Sequence, residues 1–130
     1  MSTTILAPAA VGDVLDRISI LDIKLQKLTD PPARQAVQLE RRFLASAWAE
    51  VELPTPESLP EYGELLAVNL ELWEVEDRLR AAECAADFGP TFVADARSVY
   101  RTNDRRAAIK RAVNLRFDST LVEVKVHPTY

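Results

Sequence analysis

Apolar residues recur along this chain at alternating steps of three and four, the spacing that gathers side chains on one face of an α-helix. The first run is Val11, Val14, Ile18, Leu21, Leu25 and Leu28, widened by Leu15 and Ile23, with Ile20 interrupting the polar face. Gly12 and Asp13 open it, Asp13 as the expected N-cap, and it ends near Leu28. Thr29-Asp30-Pro31-Pro32 is a stop followed by a start, because Asp30 can cap a helix whose first turn tolerates proline. The spacing predicts that second helix over Ala33 to Val51, with Val37, Leu39, Phe43, Leu44, Ala47 and Trp48 on its apolar side. Arg34, Gln38, Arg41 and Arg42 fall toward other faces. So short a joint predicts an antiparallel hairpin.

Glu52 to Pro60 holds Pro54, Pro56 and Pro60 and reads as a loop. A long third helix is predicted from about Glu61 to Ala86, with the stripe Leu65, Val68, Leu72, Val75 and Leu79. Phe88-Gly89-Pro90 breaks it. Gly89 is expected to take the positive φ of a helix exit, and Pro90 cannot extend the ladder. The fourth helix runs from Pro90 or Thr91 to Leu115, with Phe92, Ala96, Val99, Ile109 and Val113 on its buried side. From Asp118 to Tyr130 the period changes to two: Val122, Val124 and Val126 alternate with Glu123, Lys125 and His127. The segment is expected to be a short β-strand or extended tail. It would pair with the N-terminal arm (residues 1–10, with a short strand at Thr4 to Leu6) or with a second copy. The fold class is therefore all-α: an antiparallel helical bundle of about four helices with a short C-terminal β-strand or extended tail, in one domain over residues 1–130.

Composition narrows the class further. The 48% hydrophobic content supports a core, and the net charge of −4 supplies no pull toward nucleic acid or anionic membrane. No apolar run approaches a membrane span, and residues 1–10 lack the pattern of a signal peptide. One cysteine, Cys84, leaves no internal disulfide and no multi-cysteine metal site. Cytoplasmic localisation is the default expectation. The three glycines predict few left-handed turns, which disfavours hairpin-rich β structure.

Charge is divided by segment. Glu50 to Asp87 carries eleven acidic residues against Arg78 and Arg80, a net −9, whereas Arg97 to Arg116 carries seven basic residues against Asp104, a net +6. Opposite blocks on consecutive helices favour folding back at Gly89. On the third helix Asn69, Trp73, Glu76, Arg80, Glu83 and Asp87 step by four and three and share a face. Arg97, Tyr100 and Asp104 form a row on the fourth, with Asn103 and Lys110 on the row beside it. Folding back would bring the rows together. The candidate ligand-binding set is thus Asn69, Trp73, Glu76, Arg80, Arg97, Tyr100, Arg101, Asn103, Asp104, Arg105 and Lys110. Arginine suits a small anion because its planar fork gives two hydrogen bonds to a carboxylate or phosphate. Glu76 or Asp104 would be the acid or base. A solvated network of ion pairs is the competing reading of the same residues.

Other signals are weaker. Glu61-x-x-Glu64 and Glu74-x-x-Asp77 are similar to the carboxylate pairs of helical metal-dependent nucleotide hydrolases, but one continuous helix cannot wrap them around a single metal. His127 lacks partners for a triad. Cys84 has acidic neighbours, which raise a thiol pKa and disfavour a nucleophile. Neither a metal nor another cofactor is expected.

Arg17-x-x-x-Leu21-Asp22-x-Lys24 resembles the first helix of all-helical chorismate mutases, which use Arg and Lys to hold a dicarboxylate. A broader resemblance spans most of the chain. Val11-Gly12-Asp13-Val14-Leu15-Asp16-Arg17-Ile18-Ser19-Ile20-Leu21-Asp22-Ile23-Lys24, Asn69-x-x-Leu72-Trp73-x-Val75-Glu76-Asp77-x-Leu79-Arg80, Asp87-Phe88-Gly89 and Val99-Tyr100-Arg101-x-Asn103-Asp104-x-Arg106-Ala107-x-x-Lys110-Arg111 resemble a family of small, mostly helical bacterial proteins catalogued as a domain of unknown function. Leu53 to Pro60 departs from it by its extra proline. The resemblance implies a single bacterial domain and assigns no activity.

The expected function is a non-enzymatic interaction or accessory module that self-associates or binds a protein partner. The alternative is an enzyme or binding protein for a small anionic metabolite (a carboxylate, phosphate or sugar nucleotide). Nucleic-acid binding is disfavoured by the net acidity, and membrane binding is not expected.

Overall fold

The computed structural model describes residues 2–130. It contains four α-helices: α1 (Val11–Lys27), α2 (Pro31–Glu50), α3 (Pro60–Cys84) and α4 (Pro90–Arg116), with a single 3-10 turn at Pro56–Ser58. The predicted helices therefore form, each within about two residues of its expected ends. Helix α1 packs against all three others, α3 and α4 form the most extensive pair, and α2 packs chiefly on α1. Ion pairs follow the antiparallel register of α3 and α4: Arg78 with Asp95, Glu71 with Arg105, and Glu61 with Arg116. The last two join an acid of α3 to a base of α4, as the charge division requires.

The central core is built from Leu15 and Ile18 of α1, Trp48 of α2, Leu59, Leu65 and Val68 at the start of α3, and Val113 of α4. Trp48 meets the edge of Phe117 at 6.4 Å between ring centroids. Its indole N–H donates to the Pro54 carbonyl at 2.8 Å, which ties down the proline-rich loop. The stripe Leu65, Val68, Leu72 and Val75 is buried as the spacing predicts. On α2 the prediction fails in part: Trp48 is buried, but Leu39 and Phe43 are half exposed (50% and 54%). They stand on the side of α2 away from α1.

Several expectations about helix ends and strands are corrected. No strand is present among the described residues: the short strand expected at Thr4 to Leu6 does not form, and the C-terminal segment is the tail rather than the strand of its two expected forms. A lone period-two segment has no neighbour in the chain to complete a ladder. Asp13 does not cap α1. Ala10 occupies the N-cap position without a side-chain bond. The free amides are satisfied from α4 and the turn after it instead: Gly12 N–H donates to Asn114 Oδ1 at 2.7 Å, and Val11 N–H to Ser119 Oγ at 3.1 Å. Asp30 does cap α2, accepting from Ala33 N–H at 3.1 Å, with Pro31 in the first turn.

Gly89 is not left-handed, having φ −74°. The left-handed residues are Glu52, Ala86 and Asp118. Each follows the C-cap of a helix. After α3, Asp87 N–H donates to Ala82 O, and after α4, Ser119 N–H donates to Asn114 O, so both exits are Schellman turns. Non-glycine residues bear the cost of that conformation, about 1 kcal/mol each. A small glycine count is therefore compatible with three left-handed exits.

Candidate functional site

Polar side chains meet at three places where α1 faces its neighbours. In the first, Asp16 is buried between α1, α3 and α4. Its Oδ1 accepts from Asn69 Nδ2 at 2.8 Å and from Arg106 Nε at 3.0 Å, and Arg106 Nη2 donates to Oδ2. Asn69 Nδ2 also donates to Ser19 Oγ at 2.9 Å, and Ser19 donates to the Asp16 carbonyl at 2.6 Å. Both amide hydrogens of Asn69 are thus used. The hydrogen bond to Asp16 raises the Arg106 guanidinium pKa, outweighing burial, so Arg106 is locked as a cation.

The second place lies one turn away. Lys110 Nζ sits 3.0 Å from Asp13 Oδ1 and 2.8 Å from Glu123 Oε2. Burial opposes the charge on Lys110, but the two carboxylates outweigh it and lift its pKa. Lys110 in turn holds the Glu123 carboxyl below the usual carboxylate range. From Glu123 the tail runs back along α4. His127 Nε2 lies 3.7 Å from Asp104 Oδ1, and the Tyr130 ring meets the edge of Tyr100 at 5.1 Å. The gap beneath the tail is about 10 Å³, bordered by Lys110, Asn114 and Glu123. That is room for a single water.

A depressed carboxyl contributes stability above its unfolded pKa, here the ordinary 4.5, and loses it as the pH falls through the folded value. The tail is therefore expected to lose this anchoring progressively as the pH falls below 4.5, a partly exposed pair being worth about 0.2–1 kcal/mol. The nuclear Overhauser contact between the rings of Tyr100 and Tyr130 should weaken over that range, and Glu123→Gln should weaken it already at neutral pH. A contact indifferent to both changes would show that charge does not anchor the tail.

The third place joins α1, α2 and α3. Arg41 grips Asp22 with Nε at 2.6 Å and Nη2 at 3.3 Å, and reaches Glu57 at 2.9 Å. The Tyr62 hydroxyl donates to Asp22 Oδ2. Burial and this bond push the Tyr62 phenol pKa up, while Asp22 does the same to Arg41. Arg41 thus holds the peripheral helix α2 onto α1.

The eleven residues singled out by helical spacing are dispersed. Asn69 belongs to the buried Asp16 network, and Lys110 to the tail network. Arg105 is paired with Glu71 on the surface at 2.8 Å. Tyr100 and Asp104 face the tail, Trp73 and Asn103 are half-buried, and Glu76 and Arg80 lie at an open face. Glu76 and Arg80 border a groove of about 370 Å³ with Glu83 and Phe92, so its charge is mixed rather than cationic. Arg97 and Arg101 make no ion pair among the described residues. The rows of α3 and α4 do lie on one hairpin, but their cations do not converge on one cavity. Asp16, Ser19 and Arg106, which hold the best-connected polar cluster, were not in the predicted set. Their signal was available: Asp16 and Ser19 interrupt the apolar stripe of α1 three residues apart, flanked by the buried Leu15 and Ile18.

Among the described residues no helix is long and apolar enough to cross a membrane, and no three His, Cys, Asp or Glu side chains are placed to hold a metal. Searches of curated proteins and of solved structures return no match. A family model, described as a family of unknown function (DUF6165), matches residues 7–130. Since that match spans the whole helical core and the tail, the chain belongs to the DUF6165 family.

Proposed function

We propose that the protein is a non-enzymatic interaction module of the cytoplasm that self-associates, and that the outer face of α2 is its contact surface. The reading is carried by one observation. Helix α2 has two apolar stripes. The inward one, Val37, Leu44 and Trp48, is at least half-buried, with Leu44 and Trp48 in the core and Arg41 among them. The outward one, Ala36, Leu39, Phe43, Ala47 and Val51, follows the same three-four spacing and faces solvent. A contiguous apolar stripe left in water is the usual mark of a protein contact. The exposed, unpaired Cys84 suits a reducing compartment.

Two cations of the alternative anion site behave as parts of the fold: Arg105 and Lys110 already hold carboxylates. That leaves Arg97 and Arg101 on an open surface, too little to enclose a metabolite.

Light scattering across a range of concentrations tests the module reading. The chain is expected to exceed the mass of one copy, and Phe43→Glu to shift it toward that mass at a given concentration with its helical circular dichroism unchanged. A single-copy mass for the unaltered chain at every concentration sinks the proposal.

A further inference from the structure

The tail presents an inverted pattern. Its polar side chains turn toward the protein: Glu123 reaches Lys110, and His127 reaches Asp104. Its apolar side chains turn outward, with Val122, Val124 and Val126 exposed at 61%, 78% and 93%. From Leu121 to Tyr130 no backbone N–H donates to another backbone group of the chain. An extended segment with free amides and a valine face is an unused strand edge.

What fits it can be read from the segment Val122-Glu123-Val124-Lys125-Val126. It is self-complementary when reversed. Antiparallel pairing centred on Val124 sets Val122 opposite Val126, Val124 opposite itself, and Glu123 opposite Lys125 twice. Opposite charges and paired β-branched residues are the favourable cross-strand combinations. Parallel pairing in register would instead set Glu123 beside Glu123. Pro128 lacks an N–H and ends the ladder at His127. A two-fold contact between identical surfaces has this symmetry.

We infer that Leu121 to His127 pair antiparallel with the same residues of a second copy of the chain, forming a two-stranded ribbon centred on Val124. This deepens the self-association reading and rests on it, but it uses a surface separate from α2. An isolated two-stranded ribbon is marginal in water. Here each strand stays moored to its own α4 through Glu123 and Lys110, which lowers the ordering cost of pairing. Glu123, which already has Lys110 at 2.8 Å and Lys125 at 3.6 Å in its own chain, then gains Lys125 of the other copy.

Charge reversal of the full-length chain tests the pairing. Lys125→Glu makes the tail wholly acidic at these positions, and Glu123→Lys makes it wholly basic. Each variant alone is expected to raise the dimer dissociation constant at least tenfold in sedimentation equilibrium, and an equimolar mixture to restore association as a heterodimer. The mixture separates pairing between chains from the loss of the Lys110 contact within one. In a Cys84→Ser background, Val124→Cys should form a disulfide-linked dimer on mild oxidation, whereas Val122→Cys, which faces Val126, should not. Variants that associate like the unaltered chain, a mixture that fails to recover, or equal cross-linking at both positions overturns the ribbon. If the ribbon fails while Phe43→Glu still dissociates the dimer, the module reading stands without it. A single-copy mass for the unaltered chain overturns both.

Discussion

Arg106→Met is expected to lower the unfolding free energy by about 3 kcal/mol, near the lower end for removing one partner of a buried ion pair. The change keeps most of the aliphatic volume and removes only the guanidinium. Asp16, 3% exposed, is then left with a charge that Asn69 alone cannot compensate. The figure sits at the lower end because the Arg106 side chain is itself 28% exposed, so water can enter in its place. Urea unfolding followed by circular dichroism measures the loss. Asp16→Asn in the Arg106→Met background should recover most of it, because the new side-chain amide keeps an acceptor for Asn69 and carries no charge. Arg105→Ala provides the contrast. Its partner Glu71 lies on the surface, and exposed pairs are worth about 0–1 kcal/mol. Equal losses from Arg105 and Arg106 would show that burial of the Asp16 cluster does not matter to the fold.

Gly12→Ala is expected to cost about 2–3 kcal/mol, as overpacking at a closed contact does. A Cβ on Gly12 would lie 2.4 Å from the Lys110 carbonyl oxygen and 3.0 Å from Asn114 Oδ1. The first of these is backbone inside a helix and cannot swing aside, so α1 and α4 must separate. Separation also stretches the 2.7 Å bond from Gly12 N–H to Asn114, one of the two that replace a cap for α1. Gly63→Ala, in the first turn of α3, should do the opposite. Nothing lies within 4 Å of its Cβ position, and φ there is not positive. Alanine then stabilises by about 0.4–1 kcal/mol through the unfolded chain and helix propensity. The same chemical change is thus expected to carry opposite signs at two helical positions. Thermal or urea unfolding of both variants decides it, and two shifts of one sign would refute the close approach of α1 and α4.

The helices themselves were legible in the chain. Three-four spacing, Asp30 before two prolines and the Phe88-Gly89-Pro90 break are local signals, and each depends on residues within a turn or two. The hairpin of α3 and α4 was legible for a related reason. Long blocks of opposite charge survive small errors in helix rotation, so Glu61 and Glu71 find Arg116 and Arg105. The placement of the candidate site was less legible. The spacing put Asn69 on a polar row with Glu76 and Arg80, yet Asn69 is buried in the core network while the other two border the open groove. Which edge of a row turns inward depends on the rotation of α3 against α1, and a shift of about 100° is a single residue.

By itself, then, the sequence determined four helices, their order, the antiparallel sense of the second pair and the main stripe of α3. It also determined the period of the tail, though that period does not make a strand where no second strand lies alongside. Only the tertiary structure decided that α1 is the central helix and α2 a peripheral one with Leu39 and Phe43 in water. It alone decided that Asn114 and Ser119 satisfy the start of α1 from the far end of the chain, and that Arg106 rather than Arg97 or Arg101 meets a buried carboxylate. The physical reason is one of range. Periodicity and capping act through the backbone within a few residues, whereas partner choice among like side chains is settled by helix rotation, register and desolvation, which arise only when the helices pack.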